Sequence, residues 1–173
     1  MGNTTTISWT DATFNPWWGC TKVSRACDNC YAETIAKRFH PEQALWGHDD
    51  RRIFGEKHWA EPLRWARTLP AKLGRRPRIF CASMADVFDN HPAVAAEREK
   101  LWALIEKTPE LDWQLLTKRI GNVARMVPGS WLRGWPAHAW IGISVVTQEE
   151  VDRDVPRLLQ LPVGAVPELR AAA

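Results

Sequence analysis

Apolar residues gather into three short runs, at 79–84, 113–117 and 139–146, each too short for a helix and rich in β-formers. Each predicts a buried strand. The segment Ile7-Ser8-Trp9-Thr10 has the same composition and predicts a short first strand. Between the runs the apolar period lengthens. Behind Pro92, the positions Val94, Arg98, Leu101, Trp102 and Ile105 share one helical face, with Arg98 contributing only its stem. Shorter helical pieces follow at 120–126 and 148–159. Upstream, Ala32, Ile35, Ala36 and Phe39 predict a helix over 29–39 capped by Asp28, and Pro62 opens another over 61–68. Residues 40–60, with Gly47, Gly55 and several charges, read as a long loop. Strands alternating with helices imply right-handed crossovers and a parallel sheet, hence an α/β fold.

Each predicted strand ends in polar residues. Ser83 and Asp86 close the first run, Thr117-Lys118-Arg119 the second, and Ser144, Thr147 and Gln148 the third. Parallel α/β folds bind ligands at the carboxyl ends of their strands. The loop after the first strand carries three of the four cysteines, Cys20, Cys27 and Cys30, so these thiols and the polar strand ends are expected on one face. Cys81, alone in an apolar run, reads as a small hydrophobe in the core. Trp17 and Trp18 read as packing for the cysteine loop or as a wall beside it.

The chain has 173 residues, 45% of them hydrophobic and 25% charged, which suits one folded domain and excludes a disordered or fibrous chain. No stretch approaches the roughly 18 apolar residues of a membrane helix. The start lacks a basic segment followed by an apolar one, so a cytoplasmic protein without membrane attachment is expected. The net charge of +3 is too small to argue for nucleic acid; the run Arg75, Arg76 and Arg78 is the sole sequence feature in its favour, and reads first as a solvated loop. Tryptophan is unusually frequent, at 11 beside a single tyrosine, and supplies core and pocket walls.

Three clustered thiols without a secretory context point to metal or redox chemistry rather than to disulfides. The spacing is Cys20-x6-Cys27-x2-Cys30, with the last two at a helix start where free N–H groups favour thiolates. From residue types alone, three readings stay open. One is a 4Fe–4S cluster with an open iron. The second is zinc, with a fourth ligand drawn through the fold from His48, His58 or Cys81. The third is thiol redox chemistry. The zinc deaminase pattern is absent.

The segment Phe14-Asn15-Pro16-Trp17-Trp18-Gly19-Cys20-Thr21-Lys22-Val23-Ser24, followed by Cys27-Asp28-Asn29-Cys30-Tyr31-Ala32-Glu33, resembles the signature of a phage-associated three-Cys-motif family. That family is considered similar to the radical S-adenosylmethionine (SAM) superfamily. Further matches are Ser83-Met84-Ala85-Asp86-Val87-Phe88, Leu115-Leu116-Thr117-Lys118-Arg119 and Trp140-Ile141-Gly142-Ile143-Ser144-Val145. The resemblance implies a partial, TIM-like (β/α) barrel over residues 1–163, with the cysteine loop at 15–31. Cys20, Cys27 and Cys30 would ligate a 4Fe–4S cluster, and SAM would occupy the open iron. Tyr31, Ser83, Asp86, Thr117, Lys118 and Ser144 would then serve the cofactor. Reduction would cleave SAM to methionine and a radical that takes hydrogen from an unidentified substrate. The common superfamily spacing is C-x3-C-x2-C with an aromatic before the last cysteine; here the first spacer is longer, Asn29 stands in the aromatic's place, and Tyr31 follows. The alternative is a non-enzymatic, zinc-stabilised phage accessory protein, partnered by a phage-encoded protein or by nucleic acid.

Chains of that family continue with further strands and a motif of the form R-F-L-S-x-E-P-L-L. Residues 164–173 can be back-translated so that loss of one base reads V-R-F-L-S-C-E-P-L. The expectation is an out-of-frame or disordered tail, a barrel incomplete at its C-terminus, and an uncovered sheet edge beside 139–146.

Overall fold

A computed structural model describes residues 5–48 and 50–163. The tail at 164–173, with its out-of-frame reading, lies outside the described residues. Along the chain run β1 (Ala12–Thr13), β2 (Trp17–Trp18), a 3-10 turn (Arg25–Cys27), α1 (Tyr31–Phe39), β3 (Arg52–Ile53), α2 (Glu56–Trp59), α3 (Glu61–Leu73) and β4 (Arg78–Cys81). A second 3-10 turn (Pro92–Val94) leads into α4 (Ala95–Glu106), followed by β5 (Asp112–Thr117), α5 (Ile120–Met126), β6 (Ala139–Ile143) and α6 (Gln148–Leu159).

The fold is mixed α/β. Four strands form a wholly parallel sheet in the order β1-β4-β5-β6, and β2 of the cysteine loop makes a small antiparallel pair with β3 of the 40–60 stretch. Among the described residues β6 has only β5 as a neighbour, and the sheet does not close. No helix among them is long and apolar enough to cross a membrane.

Strand alternation divides the sheet into two faces. Ile79, Cys81, Trp113, Leu115, Ala139 and Ile141 join the main core together with Trp65 of α3, Leu101, Trp102 and Ile105 of α4, Val123 of α5 and Leu158 of α6. Helices α3, α4, α5 and α6 thus share one core on one face. On the alternate register stand Phe80, Gln114, Leu116 and Trp140. Trp9 packs on Phe80 at 4.8 Å between ring centroids, and its carbonyl accepts from Gln114 Nε2 (3.4 Å). Helix α1 belongs to a separate small cluster in which Ala32 and Ala36 meet Leu45 and Met84.

Several boundaries differ from the sequence expectation, each for a local reason. Residues 7–10 form a turn, and the first strand is Ala12–Thr13, because pairing with Ile79 and Phe80 defines that edge, not composition. Helix α1 begins at Tyr31 with Cys30 at its N-cap, since Asp28 is used to close the 3-10 turn, its N–H donating to the Arg25 carbonyl (3.0 Å). Of its expected inner face, Ile35 and Phe39 are exposed. Helix α3 runs past Thr68 to Gly74, whose left-handed φ of +67° ends it. The 40–60 stretch holds β3 and α2 rather than loop alone. Arg98 buries its guanidinium as well as its stem: Nε donates to the Val87 carbonyl (2.7 Å) and Nη2 to that of Asp89, so α4 holds the loop after β4. Two arginines of the basic run are paired with carboxylates while staying half exposed. Arg75 makes two 2.8 Å bonds to Asp11, whose carboxylate also accepts the Arg78 amide (2.7 Å), and Arg76 Nε lies 2.9 Å from Asp112.

Candidate functional site

Because all four main strands are parallel, the loops at 14–30, 82–91, 118–119 and 144–147 leave one edge of the sheet. The first crosses the second at Asn15, whose side chain donates to Ser83 Oγ (3.0 Å) and accepts the Met84 amide (2.7 Å). Gly19 continues the crossing, its N–H donating to the Met84 carbonyl (3.1 Å). Its φ is +114°, and a Cβ there would lie 2.4 Å from the Leu45 carbonyl oxygen, so only glycine fits. The Cys20 backbone is then held at both ends, its N–H by the Leu45 carbonyl (3.2 Å) and its carbonyl by the Gly47 amide (3.0 Å).

These loops enclose a cleft of about 160 Å³. Cys20, Cys27, Cys30 and Tyr31 line it from the cysteine loop and the start of α1. Ser83 and Asp86 line it from the loop after β4, Lys118 and Arg119 from the end of β5, and Ser144 from the end of β6. Trp46, Phe80 and Leu116 supply apolar wall. The tyrosine hydroxyl donates to the Ser83 carbonyl (2.8 Å), which sets the start of α1 against the loop after β4. Of the residues expected to serve a cofactor, Thr117 alone lies off the cleft wall; of the other polar strand ends, Thr147 and Gln148 instead start α6. Thr117 is buried below, donating to the Asp86 carboxylate at 2.8 Å.

Asp86 is fully engaged. Besides Thr117 it accepts the Phe88 amide (3.0 Å), the Lys118 amide (3.0 Å) and Arg119 Nη1 (3.0 Å). Arg119 Nη1 also donates to Cys20 Sγ (3.4 Å), and its Nη2 reaches the Thr21 carbonyl and lies 3.5 Å from Asp89. Asp89 in turn receives Arg51 at 2.9 Å, and Arg51 donates onward to Thr21 Oγ1 (2.8 Å). Two arginines and two aspartates thus form a buried, ion-paired block beneath the cysteine loop, with the Arg98 guanidinium against the Asp89 carbonyl at its side. Burial pushes the Cys20 thiol up to about 11 against the opposing pull of Arg119. Burial works against the charge of Arg119, yet Asp86 and Cys20 hold its pKa above the ordinary value. Lys118, by contrast, lines the cleft and makes no ion pair among the described residues.

Cys20, Cys27, Cys30 and Cys81 are all free thiols. Cys81 is fully buried in the helix-side core, as expected of a packing residue, and burial raises its pKa strongly. Among the described residues no three His, Cys, Asp or Glu side chains gather closely enough to hold a single metal ion. His58 is engaged elsewhere, stacked on Phe14 at 4.8 Å with Nε2 2.9 Å from the Asn15 carbonyl oxygen.

Sequence reasoning did not place Asn15, Arg51 or Asp89 in the site. The Asp86-x2-Asp89 pair after a strand was a usable signal for Asp89. Arg51, inside the 40–60 stretch, carried none. Glu150 was legible from Thr147-x-x-Glu150, a helix-start pattern: the Thr147 hydroxyl accepts the Glu150 amide (3.2 Å), and the Glu150 carboxylate accepts that of Val146 (2.7 Å).

These features define a parallel α/β protein with a thiol-lined cleft at the carboxyl ends of its strands. The chain belongs to DUF5131, a family described as a protein of unknown function, which it matches over residues 4–166. No curated protein and no solved structure matches it.

Proposed function

We propose that Cys20, Cys27 and Cys30 bind a 4Fe–4S cluster and that the cleft binds SAM beside it. The chain is then a radical SAM-like enzyme of the phage-associated three-Cys-motif type, on a partial (β/α) barrel. The observation that carries this reading is convergence: the three thiols share one cleft with Ser83, Lys118 and Ser144, which come from three other strand ends. The strand order supports the barrel. It never reverses, and α3 to α6 share one core on one face, whereas a doubly wound sheet reverses order and carries helices on both faces.

The donor set suits a cluster better than a single ion. Structural zinc asks four ligands to meet at one point. In a cluster each thiolate takes its own iron, so the sulfurs surround a void. Bound there, such a cluster supplies the single-electron reduction that breaks a sulfonium carbon–sulfur bond. The chain's own residues do the rest. Lys118 offers an unpaired cation to a carboxylate, Tyr31 and Ser83 shape the wall beside Cys30, and Trp46, Phe80 and Leu116 keep water away from the reacting groups.

The test is anaerobic reconstitution with iron and sulfide. The expected product is brown, with about four irons and four sulfides per chain. Cys20→Ala, Cys27→Ala and Cys30→Ala each lose the colour, and dithionite with SAM yields methionine and 5′-deoxyadenosine. One zinc per chain, with no iron retained, overturns the reading in favour of a zinc-stabilised accessory protein.

A further inference from the structure

The buried charge block contains one contact that charge balance does not require. Arg51, Arg119, Asp86 and Asp89 already sum to zero, and Arg51 and Asp89 pair at 2.9 Å without help from any thiol. Yet Arg119 does not spend its whole planar fork on carboxylates. Nη1 divides its two hydrogens between Asp86 Oδ2 (3.0 Å) and Cys20 Sγ (3.4 Å). Nη2 faces the Thr21 carbonyl and Asp89 Oδ1 (3.5 Å). One guanidinium therefore grips two consecutive groups of the cysteine loop, the sulfur and the next carbonyl, while two buried aspartates grip the guanidinium.

Such a fork fixes a position in a way a point charge does not. The Cys20 backbone is already held by Leu45 and Gly47, and its thiol donates locally to the Thr21 carbonyl (3.6 Å), so Arg119 supplies the restraint on the sulfur that comes from outside the loop. The orientation also has an electronic consequence. An N–H aimed at a coordinated sulfur withdraws charge from it, and hydrogen bonds to sulfur are among the levers that set cluster potentials. Of the three cysteines, Cys20 has this contact with a buried cation, so the effect would fall on one corner of the site.

We propose that Arg119 is the positioning residue for Cys20: it fixes where that sulfur sits in the cleft, and its N–H to sulfur makes the group bound there easier to reduce. The second half rests on the cluster reading above; the first half does not. Asp86 and Asp89 act through Arg119 by holding its plane.

The experiment compares wild type with Arg119→Lys, which keeps the charge without the fork, and Arg119→Gln. Because Arg119→Gln leaves the buried Asp86 carboxylate without its arginine while Asp89 keeps Arg51, the pair Asp86→Asn with Arg119→Gln, which restores the charge balance, is the second variant. In the iron-free full chain, amide hydrogen exchange of a peptide spanning residues 17–23 is expected to quicken about tenfold in Arg119→Gln and in the double variant, and less in Arg119→Lys, while peptides from α4 and β5 keep their protection. Unchanged exchange at 17–23 overturns the positioning role whether or not iron binds. In reconstituted protein, iron content is expected to stay at the wild-type level while the midpoint potential falls in both glutamine-bearing variants. A tenfold fall in the reduced-to-oxidised ratio corresponds to about 59 mV for one electron. Loaded variants with the wild-type potential overturn the tuning role and leave the cluster reading standing. A wild type that takes up no iron removes both the cluster reading and the tuning role, and the exchange data then decide the positioning role.

Discussion

The two ends of the parallel sheet handle charge in opposite ways. At the amino ends of the strands, Arg75 pairs with Asp11 and Arg76 with Asp112, and both arginine side chains are 47% exposed. These pairs keep their guanidinium ends in water over carboxylates that are 19% and 12% exposed, and solvent screening at the exposed end limits what each contributes. At the carboxyl ends, the side chains of Arg51, Asp89, Arg119 and Asp86 are 0%, 3%, 5% and 8% exposed. Desolvating four charges is costly, and apolar residues of similar volume would often hold a loop more cheaply in free energy. The amino end spends its polar groups on one another. The carboxyl end sets three free thiols, one of them bonded by Arg119, and a lysine above a buried scaffold, which is the pattern of a site rather than of a seam.

That contrast is broken most severely at Asp89. Asp89→Ala removes the carboxylate that pairs with the buried Arg51 guanidinium and takes away one support of Arg119. The expected loss is about 3–5 kcal/mol in urea unfolding. A loss below about 1 kcal/mol would mean that the block is solvated and that the two ends do not differ. Gly19→Ala comes next. The left-handed φ and the close Leu45 carbonyl together are expected to cost about 2–3 kcal/mol by the same measurement, and to loosen the cysteine loop before the sheet. Wild-type stability would show that the loop does not cross Leu45 as described.

The sequence made the same contrast only half visible. Helices α5 and α6 and the cores of β4, β5 and β6 follow from apolar periodicity, because burial on one face imposes that period whatever the neighbours are. The gathering of Cys20, Cys27, Cys30, Ser83, Lys118 and Ser144 also followed, since parallel strands send all their ends to one edge. What stayed hidden depends on partners distant in the chain. Ala12–Thr13 is a strand only because β4 lies beside it. Arg98 looked like a stem with a solvated head because its acceptors are backbone carbonyls, which no side-chain pattern reveals. Arg51 reaches the site from 38 residues before Asp89, out of a stretch that reads as loop.

Cys81 separates the two faces of the sheet. Cys81→Ser puts a hydroxyl without a partner into the helix-side core and is expected to cost about 1–3 kcal/mol, while iron uptake by the reconstituted protein stays at the wild-type level. Iron loss in that variant, with the fold intact by circular dichroism, would place a fourth thiol in the site and erase the division between packing and chemistry.

The smallest effect belongs to the amino end and carries a definite sign in pH. Hydrogen bonding from Arg75 holds the Asp11 carboxyl below its ordinary value of 3.8, against a partial desolvation that raises it, with the Arg78 amide adding to the lowering. A carboxylate lowered on folding stabilises the protein above its unfolded pKa, and that contribution fades as pH falls through the lower folded value. Arg75 is nearly half exposed, so solvent screening holds the contribution to about 1 kcal/mol or less. The difference in unfolding free energy between wild type and Asp11→Asn is therefore expected to be largest from about pH 5 upward, to shrink as pH drops below 3.8, and to shrink again in roughly 1 M salt. A difference that persists unchanged at about pH 2 would mean that the pair is buried like its counterparts at the carboxyl end.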